Sequence, residues 1–201
     1  AHLEGKGAGM MEMAGLAQKG GAVLVHCRIG ETPDAISAIR VAAGEADALI
    51  GGDLVVSAGA KTLGLTSRGR TGAVVNSHEI ITGDFTRDTA FEIPSDRLAL
   101  SLERQLQDRV QLFDASELAR VALGDAIFSN MIVFGAAWQA GLIPVSEEAI
   151  LRAIELNGAA IDGNKRAFAL GRWAAENPDA VEKALSSTVV DLPQTLDDRI
   201  A

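Results

Sequence analysis

From Ala22 to Ile29 the side chains divide with a period of two, placing Val23, Val25 and Cys27 on one face and Leu24, His26 and Arg28 on the other. That period reads as a strand, one face of which begins apolar and ends cationic. Gly20 and Gly21 precede it and allow backbone angles that other residues resist. Upstream, Met10, Met11, Met13, Ala14, Leu16 and Ala17 read as the end of a largely apolar helix. Three further apolar runs, Asp47–Ile50, Ala73–Val75 and Val110–Phe113, read as short strands, the second entered from the turn at Ser67–Arg70. The first leads through Gly51-Gly52-Asp53 into a predicted helix over 54–63.

Helical spacing takes over between and after these runs. Ser95 is a candidate N-cap for a helix with Leu98, Leu102 and Leu106 on one stripe. Asp114 and Glu117 have the spacing of a capping box, which predicts another helix start. The run from Ala126 to Val145 carries no charge and predicts a buried helix over 126–140. It is long enough to test as a membrane span, but Ser129, Asn130, Gln139, two glycines and Pro144 interrupt it and no cationic flank marks it. Ser146 caps a segment whose Glu147 and Glu148 suit a positive helix end and which Asn157-Gly158 stops. Asp162 starts the next helix and Asn177-Pro178 ends it, leaving 178–201 as a polar, peripheral segment in which Val189 and Val190 suggest an edge strand. Alternating strands and helices in one unit over 1–201 predict a layered α/β domain with a largely parallel central sheet flanked by helices.

Charge and cysteine content narrow the chemistry. A net charge of -9 over 201 residues argues against nucleic acid, whose phosphates need clustered Lys and Arg, and equally against docking an acidic electron carrier directly. One cysteine, Cys27, allows no internal disulfide and cannot supply the four thiolates of an iron-sulfur cluster. A reducing, cytoplasmic setting fits, and the opening residues lack the order of an export signal.

Several positions remain as candidate sites. Gly51, Gly52 and Asp53 stand where a strand becomes a helix, a place that could receive a phosphate or be a tight turn capped by Asp53. The residues match neither a dinucleotide fingerprint nor a P-loop. His26 and Cys27 are neighbours in a strand, so their side chains diverge and do not form a catalytic pair. The scattered His2, His78 and Cys27 show no metal-ligand spacing. Asn76-Ser77-His78-Glu79 reads either as an orienting group at the sheet's end or as a plain turn. Asn130, an amide within an apolar helix, needs partners in its own domain or in another. Asp162 to Arg166 reads as a solvated helix start.

The run Gly15-Leu16-Ala17-Gln18-Lys19-Gly20-Gly21, followed by Val23, His26, Arg28 and Ile29, resembles the gamma-type domain of 2-oxoacid:ferredoxin oxidoreductases, most closely the domain fused into indolepyruvate ferredoxin oxidoreductases. The likeness continues in order through Asp47–Val56, Ala73–Glu79, Thr82–Arg87, Asn130–Gly135, Glu155–Gly158 and Asn164–Phe168. It implies a fold like domain III of pyruvate:ferredoxin oxidoreductase. Such domains begin with a strand and a glycine-rich turn, so the resemblance also implies a fragment lacking that first strand. The enzyme implied decarboxylates an aryl 2-oxoacid on thiamine diphosphate, passes electrons through iron-sulfur clusters to ferredoxin and delivers the acyl group to coenzyme A. Thiamine diphosphate, magnesium and the clusters would sit on other domains, because the thiamine-binding segment and the cysteines are missing here. This chain would then be a non-catalytic structural domain meeting other domains or subunits, with Gln18, Lys19, Gly20, Gly21, His26, Arg28 and Asn130 as the expected interface. The rival expectation is a self-contained nucleotide- or coenzyme A-binding module using the Gly51-Gly52-Asp53 turn.

Overall fold

In the computed structural model, residues 1–14, 23–78 and 95–186 are described. Two strands, β1 (Gly7–Ala14) and β2 (Val23–Gly30), form an antiparallel ribbon in which Met10 faces Cys27 and Met11 faces His26. The methionine-rich stretch expected to end a helix is therefore a strand up to Ala14. A short apolar run satisfies either period, and long-range pairing with β2 decides between them. Gly7 and Gly9 make room for the chain beyond β2: a Cβ on Gly7 would meet the Thr32 carbonyl oxygen at 2.5 Å, and one on Gly9 would press on Ile39 at 3.0 Å. The segment after β2 thus crosses close over the inner face of the ribbon. The expected division of β2 into two faces holds, but the strand lies outside the central sheet and its Val23 face is exposed.

The central sheet is parallel, in the order β3 (Ala48–Gly51), β4 (Gly72–Asn76), β5 (Val110–Phe113). Every residue of β4 is buried, as the apolar run Ala73–Val75 predicts, and the polar Asn76 at its end is buried with it. Its alternate side chains feed two cores. Ala73 and Val75 pack with Leu54, Leu102 and Leu106, which belong to α1 (Leu54–Ser57) and α3 (Ser95–Leu106). Val74 points the other way, into a cluster with Leu118, Ile132, Val133 and Ala167. Those side chains come from α4 (Ala115–Leu123), α5 (Ser129–Gln139) and α7 (Ile161–Glu176). The result is a helix–sheet–helix layering.

Several predicted elements change at their ends. The helix over 54–63 is two single turns, α1 and α2 (Ala60–Leu63), divided at Gly59, whose extended backbone interrupts the helical run. The apolar stretch over 126–140 opens with a 3-10 turn, Ala126–Phe128, on which Ile127 is exposed, before α5 begins. Ser146 caps α6 (Glu147–Asn157) by accepting from the Ala149 N–H, and Gly158 ends it at φ 73°. Ser95 is the first residue of α3. Pro178 both ends α7 and opens α8 (Pro178–Ser186), where Val181 is buried in the core; a proline suits a first helical position because its missing N–H is not needed there. Val189 and Val190 lie outside the described residues.

Helices α5 and α7 approach at backbone distance. A Cβ on Gly135 would collide with the Phe168 carbonyl oxygen, and one on Gly171 with that of Ile132. Overpacked interiors cost about 1–3 kcal/mol, so Gly171→Ala is expected to destabilise the fold by about that amount. In a urea titration its midpoint should fall with the slope unchanged.

Candidate functional site

The carboxyl ends of β3, β4 and β5 converge on one buried side chain. Asn76, 1% exposed, donates from Nδ2 to the Gly52 carbonyl at 3.1 Å and to Ser116 Oγ at 2.9 Å. Its Oδ1 accepts the Ala115 N–H at 2.9 Å and the His78 N–H at 3.2 Å. An asparagine amide has two donors and an acceptor oxygen with two lone pairs, so all its capacity is used on its own chain. Of the two expectations for this stretch, the orienting one describes Asn76: it holds the turn after β3, the turn after β4 and the start of α4 in one arrangement.

Gly51 is buried, and a Cβ there would run into Ser57 Oγ. Asp53 then caps α1, its Oδ1 accepting the Val56 N–H at 2.8 Å while its carbonyl accepts from Ser57 Oγ. An incoming phosphate would compete with that carboxylate for the amide and meet its charge. The geometry makes Gly51, Gly52 and Asp53 a self-capped turn.

Across the same end of the sheet, His78 Nδ1 lies 3.2 Å from Asp114 Oδ2, with both side chains about one-third exposed. The other Asp114 oxygen accepts the Glu117 N–H at 2.7 Å, capping α4 as the sequence predicts. The capping role was visible in the Asp-x-x-Glu spacing, but the histidine pairing was not, because it joins residues far apart in the chain.

The ribbon carries a second polar cluster. His26 is 3% exposed and accepts the Val41 N–H on Nδ1 at 2.9 Å. That leaves Nε2 as the ring's donor, and Nε2 is buried without a partner among the described residues. Arg28 reaches the Arg40 carbonyl at 3.0 Å and Glu45 at 2.7 Å. The Ala42 amide and then the Arg28 guanidinium hold the Glu45 carboxyl below the usual carboxylate range. His26 and Arg28 thus fasten the 40–45 segment onto the inner face of β2. Cys27 faces the opposite way and is exposed, as alternation requires. Partial desolvation raises its thiol above the ordinary value, which disfavours the nucleophilic thiolate.

The other expected interface residues separate. Asn130 is exposed in the first turn of α5, where its Oδ1 accepts the Met131 N–H. It is not a buried amide, since the preceding 3-10 turn lifts it from the apolar stripe. Gln18, Lys19, Gly20, Gly21 and Glu79 lie outside the described residues, as does Thr82–Arg87. In the start of α7, Gly163 packs on the Phe128 ring and Lys165 pairs with Glu155 at 2.7 Å, so this stretch is only partly solvated. Among the described residues no group of three His, Cys, Asp or Glu is placed to hold a metal, and no helix is long and apolar enough to cross a membrane.

Among known proteins, the family profile described as pyruvate ferredoxin/flavodoxin oxidoreductase matches residues 1–174. The chain is 30% identical over 169 residues to the indolepyruvate oxidoreductase subunit IorB of Thermococcus kodakarensis, covering 82% of this chain and 79% of that one. It is 30% identical over 168 residues to the subunit of the same name from Methanothermobacter thermautotrophicus, covering 83% and 81%. A solved structure, the gamma subunit of a keto/oxoacid ferredoxin oxidoreductase from Geobacter sulfurreducens PCA, matches with a TM-score of 0.57 at 19% identity, covering 88% of this chain and 84% of that one. At that identity the likeness speaks for the fold.

Two measurements check the site. Asn76→Ala strands the Ala115 N–H and the Gly52 carbonyl, and at about 1–3 kcal/mol for an unsatisfied buried group it should lower stability markedly in a denaturant titration. Glu45 stabilises the native state above its unfolded value of about 4.3, a contribution lost as pH falls through the lower native value. Glu45→Gln should therefore lose less stability than the parent chain between roughly pH 5 and pH 3, followed by urea midpoints at each pH.

Proposed function

This chain belongs to the pyruvate ferredoxin/flavodoxin oxidoreductase family, and we propose that within it the protein is the gamma-type, non-catalytic component of an indolepyruvate ferredoxin oxidoreductase. The relatives it resembles are named as subunits, which supports a role inside a larger assembly. In the intact enzyme thiamine diphosphate, magnesium and iron-sulfur clusters on other domains would supply decarboxylation and electron transfer to ferredoxin, with coenzyme A taking the acyl group.

What remains for these residues is positioning. The site at the sheet's end supports that reading, because Asn76 and Asp53 are used up in holding turns. His78 and Asp114 form an oriented pair, and among the described residues no serine or cysteine is bonded to the imidazole.

One observation carries the proposal: the outer face of the ribbon is mostly apolar, with Glu12 its one charge among the described residues, and no described residue covers it. Met10 is 72% exposed, Val23 51% and Val25 47%, and Cys27 joins them. A two-stranded ribbon is marginal alone, and a contiguous apolar face marks an interaction surface. Of the expected interface residues, His26 and Arg28 stiffen the ribbon from its inner face, and Asn130 offers an exposed amide elsewhere, on α5.

The experiment is reconstitution with the thiamine-binding chain of the same enzyme. The protein alone should show no indolepyruvate-dependent reduction of ferredoxin in the presence of coenzyme A, and the mixture should show it. Val25→Asp alters an exposed position, so its circular dichroism and urea midpoint should match the parent. Its assembly constant should weaken by at least about tenfold, roughly 1.4 kcal/mol. Turnover by the chain alone would overturn the proposal.

A further inference from the structure

A cleft of about 470 Å³ runs between β5 and α8, lined on one side by five consecutive residues, Val110 to Asp114. A hollow lying over one face of a strand touches every second residue. Contact with all five places this one along the strand's edge. β5 is the last strand in the order β3-β4-β5. The Phe113 carbonyl accepts the Ser77 N–H on the β4 side, so alternation turns the N–H and C=O groups of Val110 and Leu112 the other way, into the cleft.

The opposite wall comes from α8, where Pro178, Val181, Glu182 and Leu185 follow one another at the spacing of a single helical stripe. An open strand edge beside an apolar wall is the geometry by which sheets accept an added strand. The charge of the lining selects what would enter. Asp114, Asp179 and Glu182 contribute to it, and no lysine or arginine does among the described residues. The chain's own residues 187–201 hold three aspartates against one arginine, and a second copy brings a net charge of -9; neither supplies the positive charge that this lining complements. The α8 wall also lies beyond residues 1–174 that match the family profile.

We propose that this cleft is a docking groove for an extended segment of a partner polypeptide, apolar at alternate positions and flanked by lysine or arginine, which pairs with β5 as a fourth strand. Main-chain bonds to Val110 and Leu112 hold it, apolar side chains meet Pro178 and Leu185, and its cations meet Asp179 and Glu182.

The test uses the full chain and residue-resolved amide hydrogen exchange by NMR. The probe is the synthetic peptide Lys-Lys-Val-Thr-Val-Thr-Val-Lys-Lys. One control replaces its lysines with glutamate and another replaces its central valine with proline. In the free chain the Val110 and Leu112 amides should exchange quickly, and saturating basic peptide should slow them by more than about tenfold. Neither control should do so, and Glu182→Lys should weaken the response to the basic peptide. Protection of these amides already in the free chain would mean that its own residues or a second copy cover the edge, and would overturn the proposal. So would an unchanged rate with the basic peptide, or equal protection by the glutamate peptide.

Discussion

One buried amide holds this fold's working end together. Asn76 lies at the end of β4 and bonds to the turn after β3, to the first residues of α4 and to the main chain of His78. The parallel sheet leaves each strand's carboxyl end as a separate loop, and such loops carry main-chain groups that need partners. A side chain with two donors and a two-lone-pair acceptor satisfies three of them and the Ser116 hydroxyl, without water. Burial makes the arrangement demanding, because any unmet bond costs more inside than at the surface. With Asn76 in place, the Asp53 and Asp114 caps are fixed relative to each other, and the sheet's end becomes a rigid surface.

Around that clamp the layers divide the labour. Leu54, Leu102 and Leu106 cover one face of β4 and the α4–α5–α7 group covers the other. The second group is dense, since Gly135 and Gly171 let α5 and α7 touch through their backbones. Arg172 then closes the outer end of that helix pair, pairing with Glu147 and lying 4.7 Å above the Trp138 ring, whose Nε1 donates to the Val145 carbonyl. The ribbon is the least enclosed element. Its inner face is fastened by His26 and Arg28 to the 40–45 segment, and its outer face has no cover from the described residues of its own chain. A rigid core carrying a partly uncovered arm suits a component that is finished by assembly.

Much of this was legible beforehand, for physical reasons particular to each element. The strand β4 reads directly because Ala73 to Val75, buried on both faces, form an unbroken apolar run. The caps at Asp114 and Ser146 read directly, and that at Asp53 as one of two readings, because each side chain serves an amide only three residues on. Asn130 misled because its place in an apolar run says nothing about the 3-10 turn before it. Met10 to Ala14 misled because apolar side chains without a long run fit either period.

What the sequence determined by itself was everything set by near neighbours: which segments are strands or helices where the period is long, where helices start and stop, the acidity of the surface, and an ordered set of motifs that resembles one family. The tertiary structure alone decided which distant groups meet. It paired β1 with β2 instead of letting the methionine run coil, set His78 against Asp114, spent all of Asn76 on three main-chain groups and the Ser116 hydroxyl, and left the β5 edge open beside α8 among the described residues. Local preferences act over a few residues. Pairing, burial and charge compensation act through space, between positions whose separation along the chain carries no trace of their contact.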